Sequence, residues 1–192
     1  IKPMKKTNIR YIKNRDISPI LKIYNFHIEN SLGNFEEKKP TIKQFSRLLN
    51  NIISNQLPFI IIEVNKKIIG FAFLSEYRNK SGYKFTYENS IYIDPIYINK
   101  GIGTKLLKHL IKVSKKNKKI KNIIAVIGDS KNYNSIRIHE KNGFKKIGIL
   151  KKVGFKKNQW LDSVYMQKIL WKKLIINYLK KYLESFQRVS QL

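Results

Sequence analysis

The chain has 192 residues and is 42% hydrophobic, which is enough for one domain with a substantial core. It contains no cysteine, which excludes disulfide bonds, catalysis by a thiolate and zinc held by cysteine. The three histidines lie too far apart in sequence to indicate a metal site, and we expect no metal. No apolar segment approaches the roughly 20 residues of a membrane-spanning helix. No signal-peptide pattern is visible, so we expect a cytoplasmic protein.

The net charge of +28 raises the hypothesis of a nucleic-acid-binding protein. However, only six of the 40 basic residues are Arg, and the lysines are spread over every segment. Proteins that read nucleic acids usually rely on Arg for forked contacts with bases and phosphates. Codons rich in A and T explain the many Lys, Ile and Asn residues at least as well. We therefore expect no specific nucleic-acid partner, although weak binding at low salt would be unsurprising.

The hydrophobic periodicity predicts strands and helices in a mixed order. One helix is predicted to start near Asp16, and a second is capped by Thr41 and Gln44. A third helix is predicted over 102–116 and a short one over 135–141. This order favours an α/β fold, a mixed sheet with helices on both faces. The predicted strands are 7–12, 59–65, 68–77, 84–93, 122–127, one near 144–150, and 163–170.

The chain divides into a domain over 1–170 and a C-terminal extension over 171–192. Apolar residues recur in the extension at helical spacing, with lysines opposite them, which predicts an amphipathic basic helix. We favour packing of this helix on its own domain. A dimer contact is an alternative, and contact with a membrane surface is the least favoured one.

The most informative stretch is 88–104, where an alternating apolar strand runs into a glycine turn and an amphipathic helix. Glycines let the backbone approach a ligand closely, and the free N–H groups of a helix start favour an anion. A dinucleotide-binding turn would have a third glycine where this chain has Leu106, and the P-loop pattern is absent. Taken alone, this segment fits an ordinary strand-to-helix turn as well as it fits an anion site. Glu88 adds a carboxylate at the other end of the same strand.

Several motifs spaced along the chain carry a more specific signal than the turn alone. The chain resembles the GNAT superfamily of acyl-CoA-dependent N-acetyltransferases, within it the phosphinothricin and methionine sulfoximine/sulfone acetyltransferase group. The resemblance implies a mixed, mostly antiparallel sheet that is splayed at the cofactor site, with helices on both faces. The motifs include Ile9-Arg10, Asn34-Phe35-Glu36, Tyr87-Glu88-Asn89-Ser90, Asn132-Tyr133-Asn134-Ser135 and His139-Glu140-Lys141-Asn142-Gly143-Phe144, within a likeness from Ile9 to Leu170.

The resemblance also implies acetyl-CoA as the co-substrate and assigns the residues that hold it. Backbone N–H groups of the turn would bind the pyrophosphate, and the strand edge would bind the pantetheine arm and polarise the thioester carbonyl. Asn132 matches an asparagine that contacts this arm. The turn residues are Asn99, Lys100, Gly101, Ile102, Gly103 and Thr104, and the edge residues are Ile91, Tyr92 and Ile93.

Catalytic and substrate residues follow from the same resemblance. Glu88 matches the glutamate that takes a proton from the amine, and burial would raise its pKa toward neutral pH. His139 occupies the group's characteristic histidine position, where it would orient the site near the thioester; a histidine merely packed on its helix is the alternative. For the acceptor, the guanidinium of Arg78 offers forked donors to a carboxylate or phosphinate, and Tyr83 lies with it on the loop and strand edge before Glu88. Phe35 would line the same pocket or face a partner subunit. The alternative for Arg78 is an ordinary exposed arginine, and the alternative for Tyr83 is a tyrosine of the core.

Two positions depart from the family pattern. Ile98 stands where the family usually has Gln or Arg, which we expect to lower cofactor affinity at most. Phe144 stands where many members have a tyrosine that protonates the leaving thiolate, so solvent or another residue must do so. For Trp160, core packing is the favoured interpretation.

The leading hypothesis is acetyl transfer to the amine of a small amino acid or analogue, by a protein that is expected to form a homodimer. A protein or peptide N-acetyltransferase is the alternative, and it would need an open groove instead of a closed pocket with Arg78 pointing in. A non-catalytic module that binds CoA or adheres to nucleic acid is a third hypothesis. Glu88 together with the glycine turn argues against that module, because binding alone needs no base.

Overall fold

The structure is a computed structural model that describes residues 6–171. Within this range the chain forms a seven-stranded sheet with strand order β1-β2-β3-β4-β5-β7-β6 and four α-helices. The strands are β1 Thr7–Tyr11, β2 Phe59–Val64, β3 Lys67–Glu76, β4 Thr86–Ile93, β5 Asn122–Gly128, β6 Lys145–Lys156 and β7 Gln159–Ile169. The helices are α1 Ile17–Asn30, α2 Ile42–Ser54, α3 Ile102–Ser114 and α4 Tyr133–Lys141.

Strands β4 and β5 form the one parallel pair among these strands, and every other neighbouring pair is antiparallel. Their pairing is short. It joins residues 86–88 of β4 to residues 122–124 of β5, and beyond Glu88 and Ile124 the two strands separate. Backbone groups on the facing edges of the separated parts therefore have no partner strand. The predicted mixed, mostly antiparallel sheet that is splayed at one site is confirmed.

Helices cover both faces of the sheet, as predicted. On one face, the Tyr92 ring of β4 packs edge-on against Tyr24 of α1 at 5.0 Å, and Tyr24 contacts Phe45 of α2. On the other face, Ile91 of β4 points toward Gly103 of α3. Successive side chains of a strand alternate between faces, so Glu88 and Tyr92 share the α1–α2 face, while Asn89 and Ile91 share the α3–α4 face.

The hairpin of β6 and β7 is longer than predicted, because β6 extends to Lys156 and β7 begins at Gln159. Trp160 lies beside its turn and is 63% exposed, with its ring packed on Phe155 at 5.2 Å. The expectation that Trp160 packs into the core is therefore wrong, because it lies at the end of a hairpin whose strand β6 forms the edge of the sheet. The predicted helix over 171–192 lies outside the described residues, except for Trp171. Among the described helices, none is long and apolar enough to cross a membrane.

Candidate active site

A cavity of about 740 Å³ opens where β4 and β5 separate. Its walls come from the end of α1 and the loop after it, the separated parts of the two strands, the start of α3, and α4. Predicted site residues that line it are Phe35, Glu88, Ile91, Tyr92, Ile93, Gly103, Asn132 and His139.

Glu88 occupies the last paired position of β4, at the point from which the two strands diverge. Its side chain is half-buried and lines the cavity. Burial raises the pKa of this carboxyl to about 7, because removing water disfavours the charged form. A carboxyl group with such a pKa can accept a proton near neutral pH, which is the property that a general base needs.

The edge of β4 along Ile91, Tyr92 and Ile93 faces the cavity, but one of its carbonyl groups is already occupied. His27 at the end of α1 places Nε2 2.8 Å from the Ile93 carbonyl oxygen. A carbonyl oxygen only accepts, so Nε2 carries the proton and donates. His27 was not predicted as a site residue. Its only sequence signal is its place near the end of a helix that packs on this strand.

The predicted glycine turn leads directly into α3. Asn99 and Gly101 have φ values of +63° and +74°, the left-handed conformation that glycine adopts at little cost. The N–H groups of the first helical turn have no carbonyl partners within the helix and remain able to bind an anion. A Cβ at Gly103 would lie 2.8 Å from Cδ1 of Ile138, so glycine is what lets α3 approach α4 here. Ile98 borders the cavity beside this turn.

Helix α4 begins at the cavity. Asn132 caps it, with the side-chain oxygen accepting from the Ser135 N–H at 3.3 Å. His139 follows one turn after Ser135 and is 2% exposed. Its Nδ1 lies 2.8 Å from the Ser135 carbonyl oxygen, and its Nε2 lies 3.0 Å from Nδ2 of Asn89.

Burial lowers the pKa of His139 to about 4, so the ring is neutral at physiological pH. Both ring nitrogens are engaged, and the Phe144 ring packs edge-on against the imidazole at 5.0 Å. These contacts leave His139 unable to take a proton from an amine in the cavity. They fit the predicted orienting role and do not fit a role as base. Asn89 lies within a motif of the family resemblance but was given no role there.

Phe35 closes one side of the cavity. Its ring lies against two glycines, and a Cβ would come within 2.7 Å of the ring at Gly128 and within 2.5 Å at Gly154. The loop that carries Phe35 is held by Lys156, which is 3% exposed and donates to the carbonyl oxygens of Ser31 at 3.0 Å and Asn34 at 2.6 Å. Burial lowers the pKa of Lys156. One lysine among many in this chain gives no sequence signal of that role.

Arg78 and Tyr83 lie outside the residues that line the cavity. The Arg78 guanidinium is exposed and sits 5.2 Å from the centroid of Tyr77 and 5.8 Å from that of Tyr83. The pKa of Arg78 is raised, mainly by its hydrogen bond with the Tyr77 side chain and to a smaller extent by Tyr83 and Tyr165. Tyr165 pairs across the sheet with Val126, which lines the cavity, but Arg78 itself contacts Tyr77 and Tyr83 outside that lining. Tyr83 is 37% exposed, so it is not a core tyrosine.

Over residues 6–171, no group of three or more His, Cys, Asp or Glu residues could hold a metal ion.

Comparison with known proteins identifies the family. The model of the acetyltransferase (GNAT) domain matches residues 9–165. A phosphinothricin N-acetyltransferase from Alcaligenes faecalis is 35% identical over 162 residues, 84% of this chain and 82% of that protein. An L-methionine sulfoximine/L-methionine sulfone acetyltransferase from Salmonella typhimurium is 30% identical over 161 residues, 83% of this chain and 92% of that protein.

A solved structure agrees with these relatives. The phosphinothricin acetyltransferase from Sinorhizobium meliloti, determined in complex with AcCoA, superposes with a TM-score of 0.81 at 32% identity. The match covers 85% of this chain and 88% of that one. The predicted resemblance is confirmed over nearly the whole described domain. This chain belongs to the GNAT family and is an acetyltransferase.

Proposed function

We propose that this enzyme moves acetyl from acetyl-CoA to the amine of a small amino acid or analogue, of the phosphinothricin or methionine sulfone type. The observation that carries the proposal is the position of Glu88, because it lies at the vertex, the point where β4 and β5 separate, and its carboxyl has a pKa of about 7. The relatives named for these two acceptor types and the AcCoA complex of a structural neighbour support the same chemistry.

Each part of the cavity has a role in this proposal. The turn over 99–104 binds the pyrophosphate through backbone N–H groups, and the β4 edge with Asn132 binds the pantetheine arm. Phe35 limits the space for the acceptor. Arg78 does not point into the cavity, although the small-acceptor hypothesis expected it to. In this proposal Arg78 and Tyr83 therefore attract the acceptor's carboxylate or phosphinate from outside the cavity lining, since a guanidinium offers forked donors to such groups.

The reaction proceeds by direct attack. An aliphatic ammonium has a pKa well above neutral and is not a nucleophile until a proton is removed. Glu88 accepts that proton, the nitrogen forms its bond to the acetyl carbon, and the bond from carbon to sulfur breaks. A neighbouring backbone N–H of β4 stabilises the developing oxyanion. With phenylalanine at position 144, the departing thiolate takes its proton from solvent or from the reacting amine.

The test is an assay of thiol release from acetyl-CoA with free amino acids, phosphinothricin, methionine sulfone and short peptides as acceptors. Glu88→Gln should lower kcat/KM by about 10²- to 10⁴-fold on the best acceptor. Glu140→Gln, a change of an exposed carboxylate on α4, is the matched control and should leave the rate unchanged. Full activity of Glu88→Gln at pH 7 would overturn the assignment of the base. Turnover on peptides alone would favour the protein N-acetyltransferase alternative.

A further inference from the structure

The contacts of His139 determine where its proton lies. Nδ1 faces the Ser135 carbonyl oxygen at 2.8 Å, and a carbonyl oxygen can only accept, so the neutral ring carries its proton on Nδ1. Nε2 therefore has a lone pair and can only accept. The group facing it 3.0 Å away, on Asn89, must be a donor.

This requirement also determines the orientation of the Asn89 side chain. An amide presents one donor end and one acceptor end, and the hydrogen-bond network decides which is which. Because Nδ2 donates to His139, the Oδ1 of Asn89 points the other way. Asn89 is 6% exposed and lines the cavity. Its Oδ1 is buried and accepts no hydrogen bond from any residue in 6–171.

A buried acceptor without a donor is unfavourable and calls for an explanation. Exchanging the two ends of the amide would not help, since Oδ1 would then face the lone pair of Nε2. The orientation of this oxygen is therefore fixed by a chain of hydrogen bonds that runs from the Ser135 carbonyl through His139 to Asn89. Because Asn89 lines the cavity, a ligand bound there that carries a donor is the natural partner of this oxygen.

The place of Asn89 in the strand indicates which part of a ligand this is. It is the first residue after the vertex, and its side chain lies on the opposite face of the sheet from that of Glu88. In the proposed reaction the thioester lies within reach of the amine that Glu88 deprotonates. The groups that reach Asn89 are then those at the thiol end of the coenzyme A arm.

We propose that the Oδ1 of Asn89 accepts a hydrogen bond from a donor at the thiol end of coenzyme A, and that His139 and Ser135 position it to do so. This inference rests on the proposed function. Two groups supply such a donor: the amide N–H nearest the sulfur, which is present in acetyl-CoA and in CoA, and the S–H of CoA, which is present in the product alone. Acetyl-CoA has no S–H, so the two sources can be separated by experiment.

The experiment measures binding by calorimetry to the wild type and to Asn89→Leu, with Asn50→Leu, an exposed site on α2, as control. One ligand pair is acetyl-CoA and an analogue with an ester in place of the amide nearest the sulfur. The other pair is CoA and desthio-CoA. In one of the two pairs, wild type and control should lose about 5- to 100-fold in affinity when the donor is removed, and Asn89→Leu should lose little.

The pair that shows this effect identifies the donor. Equal losses for the wild type and Asn89→Leu in both pairs would overturn the proposal for Asn89 and leave the proposed function intact. Failure of the wild type to bind acetyl-CoA at all would overturn both. If Asn89→Leu does not fold, Asn89→Ser, whose hydroxyl is too short to replace the amide, takes its place.

A second measurement needs neither variant nor activity. The ¹⁵N chemical shifts of the His139 ring report which nitrogen is protonated, and we expect the neutral form with the proton on Nδ1 from pH 6 to 8. A proton on Nε2 would reverse the amide of Asn89, bring Nδ2 to the cavity and overturn the proposal. The positioning role of His139 is thereby tested separately from its contribution to stability.

Discussion

Glu88 and Asn89 are neighbours in sequence, but they were accessible to sequence analysis to different degrees. The family resemblance assigned Glu88 as the base and predicted that burial raises its pKa, and in the structure its half-burial where β4 and β5 separate raises that pKa to about 7. On its own face of the strand Asn89 lies between Tyr87 and Ile91, which is a weak sign of a buried polar group. Its role depends on the direction of the hydrogen bonds of His139 and could not be read from the sequence.

The raised pKa of Glu88 predicts how stability depends on pH. Between the unfolded value near 4.5 and the folded value of about 7, the native state binds more protons, so this group lowers stability as pH rises through that window. Glu88→Gln should therefore be more stable than the wild type by about 1–3 kcal/mol at pH 8 and nearly equal at pH 4. Urea denaturation at both pH values measures this. A variant less stable than the wild type at pH 8 would contradict it.

At the scale of single elements, the sequence pattern worked best where a strand or helix has one clear apolar face. Helix α2 starts with the predicted Thr41 and Gln44 capping box. The β6–β7 hairpin was predicted as two shorter strands, because its pairing is interrupted by register shifts and Lys152 adopts a φ of +50°. Such irregularities break the period of two on which strand prediction depends.

An ion-pair network joins three elements at the edge of the sheet. Arg10 of β1 contacts Asp16, at the start of α1, at 2.6 Å, and Glu63 of β2 at 3.0 Å. Asp16 is 3% exposed, and its hydrogen bond with Arg10 lowers its pKa. Removing the cation leaves this carboxylate buried without its charged partner, with the Lys13 N–H at 2.7 Å as its remaining donor.

Arg10→Met should therefore lower the free energy of unfolding by about 3–5 kcal/mol at pH 7. The lowered pKa means that the stabilisation is present above the unfolded value of 3.8 and is lost as pH falls through the folded value. Chemical denaturation at pH 7 and pH 3 should show a smaller difference at pH 3. Arg47→Met, at an exposed site on α2, is the control. A difference that does not depend on pH would exclude this origin.

The hydrogen bonds of Lys156 fasten the loop over 31–36 to the hairpin. Lys156→Met keeps the length of the side chain and removes the donors. We expect faster hydrogen exchange in the loop and a rise of about tenfold in KM for the acceptor, with a smaller change in kcat. Lys145→Met, on the exposed part of β6, should change neither quantity. Unchanged exchange in the loop would show that other contacts hold it.

At the scale of the molecule, the family resemblance supplied what periodicity could not. The residue pattern of a strand does not depend on whether the neighbouring strand pairs with it over three residues or over eight. The separation of β4 from β5 therefore has no signal in the local sequence. The order of elements and the helices on both faces did follow from the hydrophobic pattern, because each element must bury an apolar face.

The predicted homodimer belongs to this scale as well. Apolar side chains remain exposed at the end of the β6–β7 hairpin, with Val153 at 53%, Phe155 at 51% and Trp160 at 63%. Clusters of this kind mark interfaces more often than free surface. We expect a dimer by light scattering at micromolar concentration and a monomer for Trp160→Glu. A monomeric wild type, or a Trp160→Glu variant that still forms dimers, would contradict this interface.

The two glycines behind Phe35 make the position of its ring, and with it the size of the cavity, a property of the backbone. A methyl group at Gly154 would meet the Phe35 ring, which borders the cavity, at 2.5 Å and would have to displace it. At Gly128 a methyl group would also meet the backbone carbonyl oxygens of Leu32 at 2.8 Å and Gly33 at 2.9 Å. In the proposed function, the preference among acceptors can then change through a position that bears no functional group. Related enzymes with the same catalytic residues could thus diverge in the amines they accept by gaining or losing one carbon atom.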